Sequence, residues 1–239
     1  MKFTQKQIDS IIEGVYSGKY TSRKLPKKYY SAFRDEFRDK IKDGYGKGEL
    51  LDSLKESTDY FSAAKTYQMV REMEVAAATL GAVDAYTEAA TNIFNRYTNA
   101  WGDAELNTCL QQSLQAQKWH EIIDDVDLFP NLQYVTVGDA CVICRPFDGV
   151  IAPVNSPFWK THYPTLHYNC LCLAIQLDSS RKPTKQSEID ALTEEVDPKM
   201  SDVFKDNVGI SGEVFNKKHP YFDVPKKDKK FAKNGFGLV

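Results

Sequence analysis

Apolar and polar positions in the first half of the chain alternate with the spacing of amphipathic helices. The strongest periodicity covers residues 57–80, where apolar residues recur at steps of three and four and form one stripe. Similar patterns predict helices over residues 5–17, 26–44, 83–100 and 103–124. In the last of these helices we expect four side chains to be buried: Leu106, Leu110, Ala116 and Ile123. The first half is therefore predicted to be mainly helical.

The pattern changes to the alternation of β-strands after residue 125. Three stretches rich in β-branched and aromatic residues, at residues 132–137, 149–154 and 170–177, are separated by the turn signals "PFDG" and "NSP". Beyond residue 180 a polar linker leads to a short predicted helix at 187–196. The rest of the chain is rich in Gly, Pro and Lys and has little periodicity, which indicates an extended arm that needs a neighbouring surface to order it.

These patterns predict an α+β protein with three parts. Residues 1–125 form a mainly helical region, residues 126–180 a small β-containing module, and residues 181–239 a linker, a short helix and a basic C-terminal arm. With 239 residues, of which 42% are apolar, the chain is long enough to bury a proper core. The N-terminal start has neither the apolar region of a signal peptide nor a membrane-spanning run, so we expect no membrane association.

Charge is close to balanced over the whole chain but uneven along it. The formal net charge is −2, yet residues 217–233 hold seven Lys against two Asp, and residues 1–50 are also basic, whereas residues 101–180 are acidic. The basic ends are either solvated and flexible or in contact with phosphate or an acidic protein surface. The sequence leaves these alternatives open.

The stretches "DACVICRPFDGVIAP" (139–153) and "THYPTLHYNCLCLAI" (161–175) contain four of the five cysteines. Cys141 and Cys144 form one C-x-x-C pair, and His167 and Cys170 form a second pair of possible ligands. Two such pairs supply the four ligands of a tetrahedral zinc ion. Cys172 is a fifth candidate, which replaces His167 in an alternative ligand set because residues two apart on a strand face the same side. Buried reduced thiols and disulfides are the other interpretations.

If zinc binds, four protein ligands leave no open position, so the site is predicted to be structural and not catalytic. The nearby titratable groups are Asp139, Asp148 and His162, and none has the spacing of a zinc hydrolase. Phe158 and Trp159 are expected to pack over the metal turn, with an interface role as the alternative. On one helix face, Cys109 is expected to be a core residue and His120 a half-buried histidine with its hydrogen bonds satisfied, with a ligand or a base as the alternative for His120.

The same two stretches resemble the phage Mu protein F-like minor head protein family, also called phage head morphogenesis proteins. The resemblance covers roughly residues 120–178 and has two departures, Thr165 in place of a Pro and Leu171 in place of an Arg. The positions that match the family motif are Asp139, Cys141, Cys144, Asp148, Gly149, Pro164, His167, Cys170 and Cys172.

The resemblance implies a non-enzymatic virion protein that acts in head assembly or genome delivery. Its expected partners are the portal protein, the major capsid protein, or both, and packaged DNA is a further possible contact through the basic termini. Its expected location is the capsid interior, after assembly in the bacterial host cytoplasm. Two alternatives stay open. A zinc-containing nucleic-acid-binding module predicts a basic β-module, and a phage-borne toxin or nuclease has only Glu213, Lys217 and His219 as candidate catalytic residues.

Overall fold

The computed structural model describes residues 1–138 and 141–239. It confirms an α+β protein that is mainly helical and has a small antiparallel sheet. A π-helical turn, Arg96–Ala100, joins the helix Val83–Asn95 to the helix Trp101–Asp124. The helices of the described residues are α1 (Gln5–Tyr16), α2 (Lys27–Gly44), α3 (Leu51–Leu80), α4 (Val83–Asn95), α5 (Trp101–Asp124), α6 (Phe158–Thr161), α7 (Gln186–Val196), α8 (Val208–Ser211) and α9 (Lys229–Lys233). The strands are β1 (Asn131–Val135), β2 (Ile151–Pro153) and β3 (Leu173–Leu177).

The ends of α1 show why the sequence pattern located its helix well. Thr4 accepts a hydrogen bond from the Gln7 N–H, and the Gln7 side chain accepts one from the Thr4 N–H, which forms a capping box. After the helix, Gly18 has a φ of +73°, a left-handed conformation that favours glycine and ends the helix. Local side-chain chemistry therefore sets both boundaries.

Helix α3 begins at Leu51, before the predicted residue 57, and is buried on every side along its middle. The predicted apolar stripe is buried from Ala63 to Met73, but polar residues on the other faces, among them Lys65 and Thr66, are buried as well. A helix that is covered all round occupies the centre of a core.

The described residues divide into two compact units. Unit 1 consists of Met1–Asp39, Glu56–Leu106 and His219–Val239, and unit 2 consists of Lys40–Lys55 and Asn107–Lys218. These units are defined by contacts, whereas the predicted segments 1–125, 126–180 and 181–239 are successive stretches of sequence. The two divisions describe different things, so the three-part domain division stays a prediction from the sequence.

The core of unit 1 contains a buried ion pair. The Lys65 ammonium on α3 binds the Glu105 carboxylate on α5, and the two residues are 0% and 2% exposed. The Tyr221 hydroxyl donates to the second Glu105 oxygen at 2.7 Å. Burial lowers the pKa of Lys65 and raises that of Glu105, and each charge opposes the shift of the other. Each residue therefore keeps its charge in this interior because the opposite charge of the other lies beside it.

The prediction of an extended C-terminal arm was wrong. The last residues form short helical turns that bury Tyr221 and Phe236 in unit 1, where Tyr221 stacks on Tyr97 and Phe236 contacts Tyr67. The buried Asp228 accepts a hydrogen bond from the Tyr67 hydroxyl at 2.6 Å. Aromatic burial orders this segment although its sequence lacks periodicity.

Unit 2 contains the sheet, in the order β2-β1-β3 with both pairings antiparallel. The central strand β1 buries Leu132 and Tyr134 on one face, in a cluster that also contains Trp119 and Trp159. The prediction that Ile123 is buried was wrong. Its side chain is 46% exposed, because the described part of unit 2 does not cover the last turn of α5 on this side.

Candidate metal centre

The turn between β1 and β2 carries the first pair of predicted ligands. Asp148 accepts a hydrogen bond from the Thr136 N–H at 2.8 Å, and the Gly149 N–H donates to the Tyr134 carbonyl at 2.9 Å. Gly149 has a φ of +81°, which a residue with a Cβ adopts only with strain. The Asp-Gly pair thereby folds the chain back onto β1. This reversal holds the segment of Cys144 beside the sheet.

The register of the sheet brings in the second pair. Val135 at the end of β1 lies opposite Leu173 at the start of β3. Because Cys172 directly precedes Leu173, the predicted ligands before β3 approach the turn that follows β1. The Cys170 N–H donates to the His167 carbonyl at 3.2 Å, so these two residues bracket a tight turn.

The five predicted ligands form two triads that share Cys144. Cys141, Cys144 and His167 make up the first, and Cys144, Cys170 and Cys172 the second, with the ligand atoms of each triad within 4.8 Å of one another. The sulfur atoms of Cys144 and Cys170 are 3.7 Å apart. Two sulfurs bound 2.3 Å from one tetrahedral zinc ion would be about 3.8 Å apart. The spacing of this central pair therefore fits a shared ion.

Without an ion, electrostatics in the cluster favour a thiolate at Cys170 and Cys141, whereas hydrogen bonds and burial raise the pKa of Cys144, and the pKa of Cys172 is raised as well. Hydrogen bonds from Cys144 and Cys172 lower the pKa of Cys170 to about 3. Partial burial opposes ionisation of Cys141, but hydrogen bonds from the backbone N–H groups of Cys144 and Ile143 outweigh it and lower its pKa. All five cysteines belong to the described residues, and none of them forms a disulfide there.

A tyrosine hydroxyl that the sequence reading missed lies among these thiols. Tyr134 is fully buried, and its hydroxyl oxygen has no hydrogen-bond partner of good geometry among the described residues. Burial raises the pKa of Tyr134, and the neighbouring Cys144, Cys170 and Cys172 raise it further. An unpartnered donor beside sulfur atoms fits a metal-bound thiolate as its acceptor. The alternation of β1 predicts an inward side chain here but gives no sign of this contact.

The donor set fits a thiophilic metal ion such as zinc. His167 has its Nδ1 at 2.8 Å from the Tyr168 carbonyl, so Nδ1–H donates there and Nε2 is available as a ligand. Cys172 is buried in the same triad as Cys144 and Cys170. Both ligand sets considered from the sequence, with His167 or with Cys172 as the fourth ligand, therefore stay open.

The other residues that the sequence singled out take part in packing contacts. His162 is buried against Phe158, and its Nε2 lies 3.1 Å from the Asp197 carboxylate; burial lowers its pKa and Asp197 opposes that shift. Phe158 also contacts Phe147, which lies three residues after Cys144 in the turn between β1 and β2, as expected. Trp159 is buried and donates its indole N–H to a backbone carbonyl. Asp139 lies outside the described residues.

The candidate catalytic residues of the toxin or nuclease alternative also take part in ion-pair, hydrogen-bond and packing contacts. Glu213 forms an ion pair with Lys217 at 3.1 Å. His219 is buried in unit 1 and accepts a hydrogen bond from the Tyr221 N–H at 3.1 Å. Cys109 is fully buried, as expected, and His120 is half-buried against Tyr45.

Comparison with family models, with curated proteins and with solved structures finds no match for this chain. Among the described residues, no helix is both long enough and apolar enough to cross a membrane. The class that the fold and the cluster define is therefore an α+β protein whose cysteines and histidine could hold a metal ion.

Proposed function

We propose that this chain is a minor head protein of a tailed bacteriophage or prophage, of the phage Mu protein F-like kind. The observation that supports it most is the convergence of the motif residues: Cys141, Cys144, His167, Cys170 and Cys172 meet beside one small sheet. The Asp-Gly pair of the same motif forms the turn that holds the segment in place. The motif behind the resemblance is thus a compact structural unit.

In this proposal the cluster binds one zinc ion with a structural role. Cys144 and Cys170 are ligands in both candidate sets, joined by Cys141 and by either His167 or Cys172. The ion supplies a cross-link between the turn after β1 and the start of β3. Three strands of three to five residues bury little surface of their own, so such a link adds much to their stability. Asp148 and His162 both make structural contacts, which suits a site without acid–base chemistry.

Exposed basic residues of unit 1 support the proposed contact with packaged DNA. Five lysines near the C-terminus are exposed: Lys226, Lys227, Lys229, Lys230 and Lys233. Arg23 donates to the Lys227 carbonyl at 2.7 Å and pairs with Asp228, so the basic segment that contains Arg23 and Lys24 lies against them. Arg23 and Lys24 therefore lie close to this group of lysines, and together they make up a cationic surface that suits a polyphosphate backbone.

The metal assignment is tested on protein purified without chelator under reducing conditions. Metal analysis is expected to give about one zinc per chain, and Cys144→Ser is expected to abolish it. Cys109→Ser is the matched control, because it makes the same change at a buried cysteine outside the cluster. A chain that lacks zinc and other thiophilic metals would contradict the assignment.

The head-protein function is tested by co-expression with the portal and major capsid proteins of the same genome. We expect the chain to co-migrate with portal rings or assembled heads in size-exclusion chromatography. Heads assembled without the chain should package or deliver DNA poorly. A chain that stays separate from both proteins, in a phage whose infectivity does not depend on it, would exclude the proposal whatever metal it binds.

The cationic surface is tested by the charge reversals Lys227→Glu, Lys229→Glu and Lys230→Glu, made together. Binding to duplex DNA of random sequence is expected to weaken, and its dependence on salt concentration to become less steep, since fewer counterions are released. The exposed Lys182→Glu and Lys185→Glu pair in unit 2 serves as the control. Unchanged affinity in the triple variant would remove DNA from the proposed partners.

A further inference from the structure

Unit 2 contains an apolar groove that neither the metal centre nor the proposed function uses. Its volume is about 690 Å³, and it lies between the C-terminal half of α5, the segment from β2 to α6, and α8. The lining side chains that matter here are Trp119, Ile123, Val126, Val154, Trp159 and Ile210. The two tryptophans are buried, whereas Ile123 and Ile210 are 46% and 54% exposed. The groove therefore has a buried aromatic floor and an apolar rim open to solvent.

The rim residue Ile210 is held rigidly in its exposed position. Asn207 caps α8 by accepting from the Gly209 N–H at 2.9 Å, and its side-chain amide donates to the Trp159 carbonyl at 3.0 Å. A Cβ on Gly209 would stand 2.2 Å from the Trp119 Cβ, so only glycine permits this close contact with α5. Ile210 is thus exposed on an anchored segment, as expected for a preformed binding surface.

Three aspartates flank one side of the groove and outnumber Lys160, a basic residue that lines it. Asp124, Asp125 and Asp127 are exposed, and each adjoins a lining residue, Ile123 or Val126. Within the part of the chain that the structure describes, none of the three forms an ion pair. They lie at and just after the C-terminus of α5, where the helix dipole adds negative potential. Leu128 and Phe129, which follow directly, are exposed apolar residues.

We propose that this groove binds an amphipathic polypeptide segment of another protein, with large apolar side chains in the groove and Lys or Arg beside the three aspartates. Buried tryptophans with an apolar rim are typical of the anchor pockets that supply most of the affinity in protein interfaces. The unpaired carboxylates select the charge of the partner, because an acidic segment would meet like charge along that side. The proposal does not depend on the head-protein function.

The test is selection from a random library of displayed peptides on the immobilised full-length protein. The enriched peptides are expected to combine large apolar residues with a net positive charge. A synthetic copy of the best peptide should bind about tenfold more weakly to Ile210→Asp and to the combined variant Asp124→Lys, Asp125→Lys and Asp127→Lys. Its affinity should also fall as salt is raised from about 50 to about 500 mM.

Matched controls separate the groove from general effects. Val75→Asp places the same charge at an exposed apolar position of unit 1, and Glu188→Lys with Glu194→Lys reverses charge on α7, outside the groove. Both should bind the peptide within about twofold of the unchanged protein. Ile123→Asp repeats the groove test at a second position in case Ile210→Asp is poorly folded.

Three results would overturn the proposal. One is enrichment of peptides without basic residues, and another is undiminished binding to both Ile210→Asp and Ile123→Asp. The third is concentration-dependent self-association in sedimentation that Ile210→Asp abolishes, because the occupant would then be a second copy of this chain.

Discussion

The two compact units reach stability by different means. Unit 1 is built on long helices and a dense aromatic core, and it buries the charges of Lys65 and Glu105 as a pair. Unit 2 contains a sheet of three short strands, whose core cluster includes the thiols of Cys144, Cys170 and Cys172. Long helices bury enough apolar surface to tolerate an internal ion pair. A small sheet gains most from a cross-link, and the cysteine cluster is suited to provide one.

The difference suggests where each unit is vulnerable. Removing a metal ion should damage the sheet and leave the helical core of unit 1 folded. Breaking the ion pair should damage unit 1 and leave metal binding intact. Hydrogen exchange measured on separate peptides can report on the two units independently.

The largest effect is expected from loss of the proposed metal ion. Cys144→Ser, or a strong chelator, should remove about 5 kcal/mol or more from the stability of the sheet, since metal-binding free energy is folding free energy in such a site. Hydrogen exchange should then become fast in β1 and β3 but stay slow in residues 62–70 of α3. Cys109→Ser should lower stability by only about 1 to 2 kcal/mol, through an imperfectly paired hydroxyl. Equal effects of the two serines would show that the cluster is ordinary packing.

The next largest effect is expected at the buried ion pair of unit 1. Lys65→Met removes the cation from the buried Glu105 carboxylate and leaves it the Tyr221 hydroxyl as a neutral donor, so it should lower the free energy of unfolding by about 3 to 5 kcal/mol. Adding Glu105→Gln removes the uncompensated charge and keeps an acceptor for Tyr221. The double variant should therefore regain much of the loss in denaturant titrations. A double variant as unstable as Lys65→Met alone would mean that packing, and not charge, dominates here.

A third, smaller effect is the pH dependence that His219 gives to unit 1. Burial, assisted by the positive charge of Lys65, lowers the pKa of His219 from 6.5 to about 3. The unfolded chain therefore binds a proton below pH 6.5 that the folded chain does not, so this part of the stability is full above pH 6.5 and falls as the pH decreases towards 3. Between pH 6.5 and about pH 5 the loss should be about 1 to 2 kcal/mol.

His219→Asn isolates this contribution, because asparagine keeps a side-chain acceptor for the Tyr221 N–H but does not titrate. Chemical denaturation at several pH values should show a shallower decline for the variant. In unit 2, burial also lowers the pKa of His162, but Asp197 opposes the shift, so His162→Asn should change the pH dependence less. Parallel pH profiles for His219→Asn and the unchanged protein would contradict the argument.

Capping residues, turn residues and periodicity predicted the main helices and strands well. They did not predict contacts between residues that are far apart in the sequence. The capping box at Thr4 and the Asp-Gly turn at Asp148 are readable within a few residues. Lys65 reads as a surface residue, since nothing nearby in the sequence reveals Glu105 forty positions later. The C-terminal segment lacks periodicity because its order comes from aromatic contacts with α3 and the π-helical turn.

The candidate site shows the same division. Cysteine and histidine spacing was sufficient to predict which side chains come together, because ligand chemistry restricts the residue types and hairpin reach restricts the distance. Spacing does not decide between His167 and Cys172, because each belongs to a triad that contains Cys144. Ile123 was predicted to be buried from helical periodicity alone. Periodicity identifies an apolar face but not whether this chain or another one covers it.

The smallest effect compares the same change in each unit. Gly18 and Gly149 have φ values of +73° and +81°, and neither has an atom closer than 3.9 Å to the position of an added Cβ. Gly18→Ala and Gly149→Ala should therefore each lower stability by about 1 kcal/mol, from left-handed backbone strain alone. Gly18 only ends α1, whereas Gly149 follows the cysteine turn, so zinc affinity measured with a competing chelator should fall for Gly149→Ala alone. If zinc affinity stays unchanged in Gly149→Ala, the Asp-Gly turn does not position the ligands, and the contrast between the units then depends on the ion itself.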